Sequence, residues 1–555
     1  MKILAAIEAD LQTTPLGTRS RLGDELLERA VLARTVERVL RASEPAAVFV
    51  VCPHAQAEGC RQILGERNVR YWTHSGQPPP YRQLIQTARK WSLDGWRGGL
   101  GGSCAMDEYT DCGVLAALAK SESADGVLAI PAAAAVIDPA MIDGMCQQFA
   151  RVSSEVRMAF CQAPPGLVGT VFAPSILEEL AAKRLPPGWV LSYKPDAPMI
   201  DLTSKPCCYQ TSQAVRHAAG RLIADTDAGV ACLTDLLAAH PDPDAEAIGR
   251  FLIERDRTHV PSLPREIEIE LTTDDPYPDT PLRPRGARVG RRGSMEVDMV
   301  RRVARELTGE SIRNRDDILV LLGGFGDPLL HPELGEVLSI LRKAGVFGLA
   351  IRTTGVGLTA PVRALLIEHG VDVLEVLLDA WTPQLYEGVT RGAGPAPAAG
   401  MSLGDVAAQI DALMRERAAR QSVRPIVVPT LTKARQTVRE MDAFFDGWVR
   451  KAGCANIVGF NHYSGRLEDH SVIDMCPPHR TPCRRIMNRC TILADGRITV
   501  CDQDYRGEHT IGCVTERPLR ELWQADLMQT VRNQHLARDF AATRFCAGCT
   551  EWHRP

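Results

Sequence analysis

Short apolar runs alternate with amphipathic stretches along residues 263–465. The runs have the length of buried strands, and the stretches between them repeat their apolar positions every three to four residues, as helices do. The predicted strands are Glu266–Leu271, Ile318–Leu322, Gly348–Arg352, Val373–Leu377, Pro425–Val428 and Asn456–Phe460, and the predicted helices include Met295–Leu307, Glu333–Ala344 and Val362–His369. This alternation predicts parallel βαβ units. About six such units form a partial (β/α) barrel, with functional groups at the carboxyl ends of its strands.

The first 205 residues also follow an α/β pattern. Buried parallel strands are predicted at Ile3–Ala9, Ala47–Cys52, Gly126–Ile130 and Met158–Cys161, and a helix at Leu26–Arg41. At about 150 residues per domain, the chain is long enough for roughly three or four domains. Bands of proline and glycine mark the joints between four predicted parts: an α/β domain over 1–205, a helical linker over 206–262, the barrel over 263–465, and a small cysteine-rich domain over 470–555.

The last part contains a hairpin signal. Asp495-Gly496 stands between two β-rich runs, which predicts a two-residue turn. If the strands pair symmetrically about it, Cys490 faces Cys501 with side chains roughly 5 Å apart. A helix is predicted next, from the apolar positions Leu519, Leu522, Trp523, Leu527 and Val531.

The composition is that of ordinary folded domains. A net charge of −4 and a hydrophobic content of 45% allow each domain a normal core. The charge balance favours neither nucleic acid nor a membrane as partner, and no apolar run is long enough to cross a bilayer. Met1–Leu4 leads directly into a strand-like run rather than an apolar signal segment, so a cytoplasmic location is expected.

Cysteines are concentrated at one end of the chain. Seven of the 17 lie between Cys476 and Cys549, and residues 233–453 have none. A cytoplasmic address disfavours disulfides and favours a metal or redox role, although buried thiols are the alternative. The closing Cys546-Ala-Gly-Cys549 can present two thiolates to one metal centre. Four thiolates suit zinc and iron–sulfur clusters equally, so ligand type leaves both open.

The order of motifs in this region resembles a SPASM domain, from about residue 476 to the end. The resemblance is carried by Cys483, the Thr491–Cys501 hairpin, Ile511-Gly512, Leu519–Trp523 and Cys546–Cys549. SPASM domains extend many radical S-adenosylmethionine (radical SAM) enzymes and bind auxiliary [4Fe-4S] clusters. The resemblance implies such a cluster, with Cys483, Cys501, Cys546 and Cys549 as ligands. Three further cysteines, Cys476, Cys490 and Cys513, are extra to this pattern.

The predicted barrel resembles the radical SAM barrel. Ile267–Thr273 is similar to its first strand and Gly323–Pro332 to its second-strand motif, which implies an S-adenosylmethionine pocket at Gly324, Gly326 and Asp327. The family's C-x-x-x-C-x-x-C motif should follow the first strand, but residues 274–286 contain no cysteine. A cluster with an open iron site therefore has no anchor. The resemblance implies a degenerate barrel. Asp327 can still contact S-adenosylmethionine as a possible cofactor, but the missing cysteines argue against its reductive cleavage. The domain order resembles that of spiro-SPASM proteins.

Arginines crowd the loop that replaces the missing motif, at Arg283, Arg285, Arg288, Arg291 and Arg292. Two interpretations stay open. The loop is a solvated, salt-bridged segment, or it is an anion site at the barrel mouth, since guanidinium groups suit carboxylate and phosphate.

The loop after the first strand of the chain, Leu16–Leu22, resembles that of sugar nucleotidyltransferases and nucleotide-sugar glycosyltransferases. The resemblance implies a nucleotide loop at Gly17, Arg19 and Arg21, where backbone amides favour phosphate. Those enzymes hold magnesium with an aspartate after a central strand, but here Ala132–Ala135 occupy that stretch. The domain is therefore expected to be degenerate.

These observations predict an iron–sulfur-binding SPASM protein with a degenerate radical SAM barrel. Its expected role is electron transfer or the recognition of a substrate or partner, which is a small molecule, a peptide or a redox protein. Two alternatives remain: a radical-SAM-like enzyme with altered chemistry in the 274–292 loop, and a nucleotide-sugar-handling transferase. The sequence assigns no catalytic residue.

Overall fold

A computed structural model of the chain describes residues 1–198, 201–308, 317–391 and 401–554. The chain divides into two compact units, Met1–Asp256 and Arg257–Pro555. Both units are α/β with mainly parallel sheets, as predicted. The four-part division stays a prediction, since these two units are larger than its parts.

The first unit is built on a seven-stranded sheet in the order β5-β4-β1-β6-β8-β7-β9, and β2 and β3 form a separate short hairpin. The strands are β1 (Ile3–Glu8), β2 (Glu25–Leu26), β3 (Arg29–Ala30), β4 (Ala47–Pro53), β5 (Arg70–His74), β6 (Gly126–Pro131), β7 (Met158–Cys161), β8 (Thr170–Phe172) and β9 (Cys208–Tyr209). Strand β1 runs parallel to β4 and β6. The insertion of β8, antiparallel to β6 and β7, separates the fourth predicted strand from the parallel set.

Helices cover this sheet: α1 (Val31–Val39), α2 (Ala57–Leu64), α3 (Arg82–Arg89), α4 (Cys112–Ser121), α5 (Pro139–Val152), α6 (Pro174–Lys183), α7 (Gln213–His217), α8 (Asp227–Ala239) and α9 (Ala245–Thr258). Helix α1 is shorter than the predicted Leu26–Arg41 because Leu27 and Glu28 have positive φ and close the β2–β3 hairpin. Asp138, just beyond the alanine run, caps α5 by accepting the Met141 N–H (2.8 Å). The predicted linker contains β9, which pairs with β7 inside the first unit.

The second unit has a nine-stranded sheet in the order β15-β14-β13-β12-β11-β10-β16-β17-β18. Its strands are β10 (Glu266–Glu270), β11 (Leu319–Gly323), β12 (Gly348–Thr353), β13 (Val373–Leu377), β14 (Ile426–Lys433), β15 (Asn456–Gly459), β16 (Arg489–Ile492), β17 (Arg497–Thr499) and β18 (Thr510–Cys513). All six predicted barrel strands are present and parallel in chain order. Strand β16 pairs with the free side of β10, so the cysteine-rich region continues the barrel sheet.

The helices of the second unit are α10 (Val297–Thr308), α11 (Leu334–Lys343), α12 (Ala360–Glu368), α13 (Pro383–Arg391), α14 (Leu403–Ala419), α15 (Met441–Ala452), α16 (Arg485–Asn488), α17 (Leu519–Trp523), α18 (Asp526–Leu536) and α19 (Arg544–Ala547). Strand and helix side chains such as Val320, Ile351 and Leu338 form one apolar core with the cysteine-rich region. The single helix predicted from Leu519 is two helices, because Ala525 is extended between α17 and α18.

The hairpin register differs from the predicted one. Thr491 pairs with Thr499, and Ile492 pairs with Ile498, so the axis of pairing lies at Asp495. The turn has three residues because Gly496 takes a left-handed conformation (φ 83°) that closes a longer loop. The prediction that Cys490 faces Cys501 is therefore wrong. By this register, Cys490 falls opposite Val500, and on its other side it pairs with Ile267 of β10.

Within the described residues, no helix combines the length and the apolar character needed to span a membrane.

Candidate metal centre

The structure brings the four predicted ligands into one neighbourhood. Cys483 precedes α16, Cys501 follows β17, Cys546 lies in α19, and Cys549 follows α19. Burial raises the thiol pKa of Cys546 to about 12 and of Cys549 to about 11, and the Cys483 thiol adds to both shifts. The pKa of Cys501 is also raised, by burial, by Asp502 and by Cys483. Cys483 therefore lies within electrostatic range of the other three sulfurs.

Four thiols make up the donor set of this centre. Soft sulfur ligands suit both a zinc ion and an iron–sulfur cluster, so the donor type alone leaves both open. Since the buried thiols have raised pKa values, binding must displace their protons.

Arg485 supplies positive charge beside these sulfurs. Its Nη1 donates to Asp502 Oδ2 at 2.8 Å. Burial alone would lower the pKa of Arg485, but Asp502, the Cys501 thiol and Glu551 raise it. Although burial opposes the change, Arg485 and Arg489 lower the pKa of Asp502 to about 2. A permanent guanidinium cation next to Cys501 would offset part of the negative charge that a thiolate-bound cluster carries.

His535 joins two of the predicted ligands. Its Nδ1 accepts the backbone N–H of Cys483 at 3.2 Å, and its Nε2 lies 3.4 Å from the sulfur of Cys546. Burial, followed by Arg480, lowers the pKa of His535 to about 4, so the imidazole is neutral at pH 7. Because Nδ1 accepts, the single proton is on Nε2, which donates to the sulfur. A residue that hydrogen-bonds to a metal ligand in this way fixes the orientation of that ligand.

Sequence reasoning missed both supporting residues. Arg485 stands two positions after Cys483, but nothing in the local pattern assigns it to Asp502. A signal for His535 was available, since it lies four residues after Val531 on the buried face of α18. A polar side chain at an apolar helical position requires a partner.

A family comparison bears directly on this centre. Residues 483–550 match the SPASM family, described as an iron–sulfur cluster-binding domain. Residues 483–550 are a SPASM domain. The match confirms the expected domain and its iron–sulfur cofactor, and all four predicted ligands lie inside it.

Other comparisons extend beyond the SPASM domain. A protein of Treponema pallidum (strain Nichols), named only as uncharacterized, is 25% identical over 244 residues. The match covers 42% of this chain and 64% of that protein, which is less than two thirds of the relative's length.

Several solved structures are similar at low identity. BtrN in complex with AdoMet and 2-DOIA is 14% identical with a TM-score of 0.34, covering 52% of this chain and 93% of that one. Streptococcus suis SuiB bound to the precursor peptide SuiA is 11% identical with a TM-score of 0.37, covering 52% and 71%. A cytidylyltransferase from Leptospira borgpetersenii serovar Hardjo-bovis is 17% identical with a TM-score of 0.31, covering 46% and 93%. Scores of this size decide neither fold nor activity.

The remaining cysteines near the SPASM centre have other surroundings. Cys490 lies in β16 within the apolar core, and burial raises its thiol pKa to about 12. The Cys513 sulfur lies 3.0 Å from Thr515 Oγ1. The Cys476 sulfur accepts the Trp552 Nε1–H at 2.9 Å.

The barrel mouth, outside the SPASM domain, is filled by ion pairs. Arg292 pairs with Glu270 through both of its forks, at 2.7 and 2.8 Å, and Arg283 pairs with Asp379. Arg285 lies 2.8 Å from an oxygen of Asp275 and donates to the Gly324 carbonyl at 3.0 Å. The side chains of Arg285 and Arg292 are each only 5% exposed. These three arginines are thus paired with carboxylates inside the barrel mouth, whereas Arg288 and Arg291 of the same loop are exposed.

The predicted S-adenosylmethionine residues are engaged in the same packing. Asp327 accepts hydrogen bonds from the Leu329 N–H, the Thr353 hydroxyl and the Thr354 N–H at 2.8–3.0 Å. A Cβ at Gly324 would lie 2.7 Å from that of Glu270, and one at Gly326 would collide with the Thr272 carbonyl. Close backbone packing therefore accounts for both glycines.

The first unit has a cavity of about 520 Å³ at the carboxyl ends of β1 and β6. Of the predicted nucleotide loop, Arg21 lines this cavity and pairs with Asp227 at 2.5 Å, whereas Gly17 and Arg19 are not part of the wall. Glu8, at the end of β1, accepts the Asp111 N–H at 3.0 Å. Burial and then the Asp111 carboxylate raise the pKa of Glu8 to about 8. An acid at the end of a buried apolar strand was a signal that sequence reasoning passed over.

Proposed function

We propose that this protein binds one [4Fe-4S] cluster through Cys483, Cys501, Cys546 and Cys549, and that it serves electron transfer or the recognition of a substrate or partner. The observation that supports this most is the gathering of the four thiols within electrostatic range of Cys483, inside the segment that matches an iron–sulfur cluster-binding domain. A bound cluster would supply one-electron redox chemistry and a rigid, four-point anchor for the surrounding loops.

The surrounding side chains support binding and tuning rather than catalysis at this centre. Four protein ligands leave no open iron site for a substrate. Arg485 balances negative charge, and His535 donates to one ligand sulfur, so both act on the stability and potential of the cluster.

The state of the barrel mouth favours the binding role over radical SAM chemistry. Residues 274–286 offer no thiolate, and Arg283, Arg285 and Arg292 of the 274–292 loop pair with Asp379, Asp275 and Glu270 respectively. Reductive cleavage of S-adenosylmethionine needs a cluster with an unligated iron beside the sulfonium. We therefore expect the barrel to act as a scaffold for the SPASM domain.

Metal analysis of protein purified without oxygen tests the cluster proposal. About four irons and four sulfides per chain are expected, with a brown colour. Stoichiometric zinc without sulfide would contradict it. Under strong reduction the same sample should form no 5′-deoxyadenosine from S-adenosylmethionine above a no-protein control. Formation that an Asp327→Ala variant loses would show that the barrel is an active radical enzyme.

A second candidate function is nucleotide binding in the first unit, in support of a transferase-like remnant. It is favoured by the cavity at the carboxyl ends of β1 and β6, where the order of strands along the chain reverses and where α/β folds place ligands. Nucleotide binding that weakens in Arg21→Ala, without magnesium-dependent turnover, is the expected result. Turnover of a nucleoside triphosphate with a sugar phosphate would favour the transferase alternative.

A further inference from the structure

A cavity of about 300 Å³ lies at the carboxyl ends of the last two barrel strands. Lys433 ends β14 and Gly459 ends β15, and these two residues pair in the sheet. Residues from 469–476 and 550–554 supply much of the remaining wall, and we call this space the strand-end cavity. The carboxyl ends of parallel strands are where (β/α) folds place their ligands.

Cations lie on the strand side of this cavity. Arg435 donates to the Ser471 carbonyl at 3.1 Å, and Arg554 donates to the Gly459 carbonyl at 3.1 Å. Gly459 makes room for Arg554, because an added Cβ would collide with the guanidinium. The ammonium of half-buried Lys433 has neither an ion-pair nor a hydrogen-bond partner within the described residues. A partly desolvated cation without a counter-ion favours the binding of an anion.

The acidic side chains of the cavity wall do not neutralise the charge of Lys433. Asp469 and Asp474 are exposed, and each holds its own loop by accepting a backbone N–H at 2.8 Å, from Ser471 and Cys476 respectively. Of the cations that line the cavity, Arg554 pairs with Glu551 at 3.0 Å. Lys433 has no such partner within the described residues, so the unneutralised positive charge of the wall lies there.

Apolar side chains form the outer rim. Val472, Ile473 and Met475 line the cavity while 43%, 62% and 63% exposed. Neighbouring large apolar side chains left in water usually mark a contact surface. The cavity thus combines a cation at its base with an apolar rim, which matches a ligand that carries both an anionic head and an apolar body.

We propose that the strand-end cavity binds an organic carboxylate, whose carboxylate group pairs with Lys433 and Arg435 and whose apolar part lies against Val472, Ile473 and Met475. The cavity volume is at the lower end of small-molecule sites. The ligand would sit beside Thr550, the residue after the proposed cluster ligand Cys549. The site depends on side chains of the barrel and the carboxyl terminus, and it stands whether or not the cluster proposal holds.

The test is an NMR titration of the full-length, anaerobically purified protein with three probes: acetate, hexanoate and hexylammonium. Hexanoate should bind at least tenfold tighter than acetate, because each fully buried methylene contributes about fourfold in affinity. Hexylammonium, with the same apolar chain and the opposite charge, should bind at least tenfold more weakly than hexanoate. Equal binding of hexanoate and hexylammonium would overturn the proposal.

Variants locate the site. Lys433→Met should weaken hexanoate at least fivefold, Lys433→Arg should retain most of the affinity, and Lys343→Met, an exposed lysine at the end of α11, should leave it unchanged. Ile473→Ser, at an exposed rim position, should weaken hexanoate but not acetate, and it keeps the test valid if the Lys433 variant does not fold. Unchanged hexanoate affinity in Ile473→Ser and in a folded Lys433→Met would overturn the proposal. Iron measured on the same samples separates this result from that of the cluster test.

Discussion

The SPASM centre and the barrel mouth both bury ionisable groups, but only one of them is electrostatically incomplete. At the mouth, Arg283, Arg285 and Arg292 each face a carboxylate of the same barrel. At the SPASM centre, Cys501, Cys546 and Cys549 lie within electrostatic range of the Cys483 thiol, and all four thiols must lose protons to become ligands. Buried ionisable groups that lack partners of opposite charge indicate a ligand site. Buried ionisable groups that have such partners indicate a structural ion pair.

Loss of the cluster is the largest effect this comparison predicts. Cys501→Ala should remove iron and sulfide together, because the variant lacks one of the four thiolates that anchor the cluster. Alanine at Cys483, Cys546 or Cys549 should do the same. The measurement is iron and sulfide content with the visible absorption spectrum.

Matched controls in the same region are Cys513→Ala and Cys476→Ala, which should keep the cluster. Retention of four irons in Cys501→Ala would show that Cys490 or another thiol substitutes as a ligand. The proposed ligand set of the SPASM centre would then be wrong.

Removing one member of a complete pair is the next largest effect. Arg292→Met leaves Glu270 buried without its bidentate partner, which should lower the free energy of unfolding by about 3–5 kcal/mol. Denaturant unfolding of the anaerobic protein measures it. Arg291→Met, an exposed neighbour, should change stability by at most about 0.5 kcal/mol. The double variant Arg292→Met/Glu270→Gln removes both charges and keeps an oxygen that can accept the Ala494 N–H, so it should recover part of the loss. No recovery would show that the unpaired carboxylate is not the cause of the loss.

A smaller effect tests the support of the SPASM centre. His535→Phe should keep an aromatic ring at this position but remove the N–H that faces the Cys546 sulfur and the acceptor of the Cys483 N–H. A hydrogen bond that strengthens by about 1 kcal/mol on reduction corresponds to about 40 mV for one electron. The potential should therefore fall by tens of millivolts in an EPR-monitored redox titration. An unchanged potential with a full complement of iron would show that His535 does not influence the cluster through the Cys546 sulfur.

The smallest effect concerns the weakest pair of the mouth. Burial, only partly offset by Arg285, raises the pKa of Asp275 above its usual 3.8. Across the window from 3.8 up to that raised pKa, the folded state holds a proton that the unfolded state has lost, so the contribution of Asp275 to stability falls as pH rises. Asp275→Asn should flatten this slope in unfolding measured between pH 4 and 7. A steeper slope in the variant would contradict the assignment.

Sequence reasoning predicted the secondary-structure elements and proposed the four ligands from local signals. Buried strands such as Val373–Leu377 stand out as apolar runs, and the cysteines identify themselves by spacing. Contacts between residues distant in sequence have no such local signal. Arg283 and Asp379 are 96 residues apart, and the sequence around either residue does not predict its partner. The predicted hairpin register was wrong by one residue, because Gly496 in the left-handed region adds one position to the turn.

The junction between β10 and β16 has a consequence for how the chain tolerates being cut. Strand β16 covers the outer edge of β10, and Glu270 of β10 accepts the Ala494 N–H of the turn at 3.0 Å. A chain ending before Arg489 would leave the backbone groups of β10 open to strands of other molecules, which is a route to aggregation. The SPASM hairpin thus also acts as an edge cap for the barrel, and the two parts are better expressed together than as separate modules.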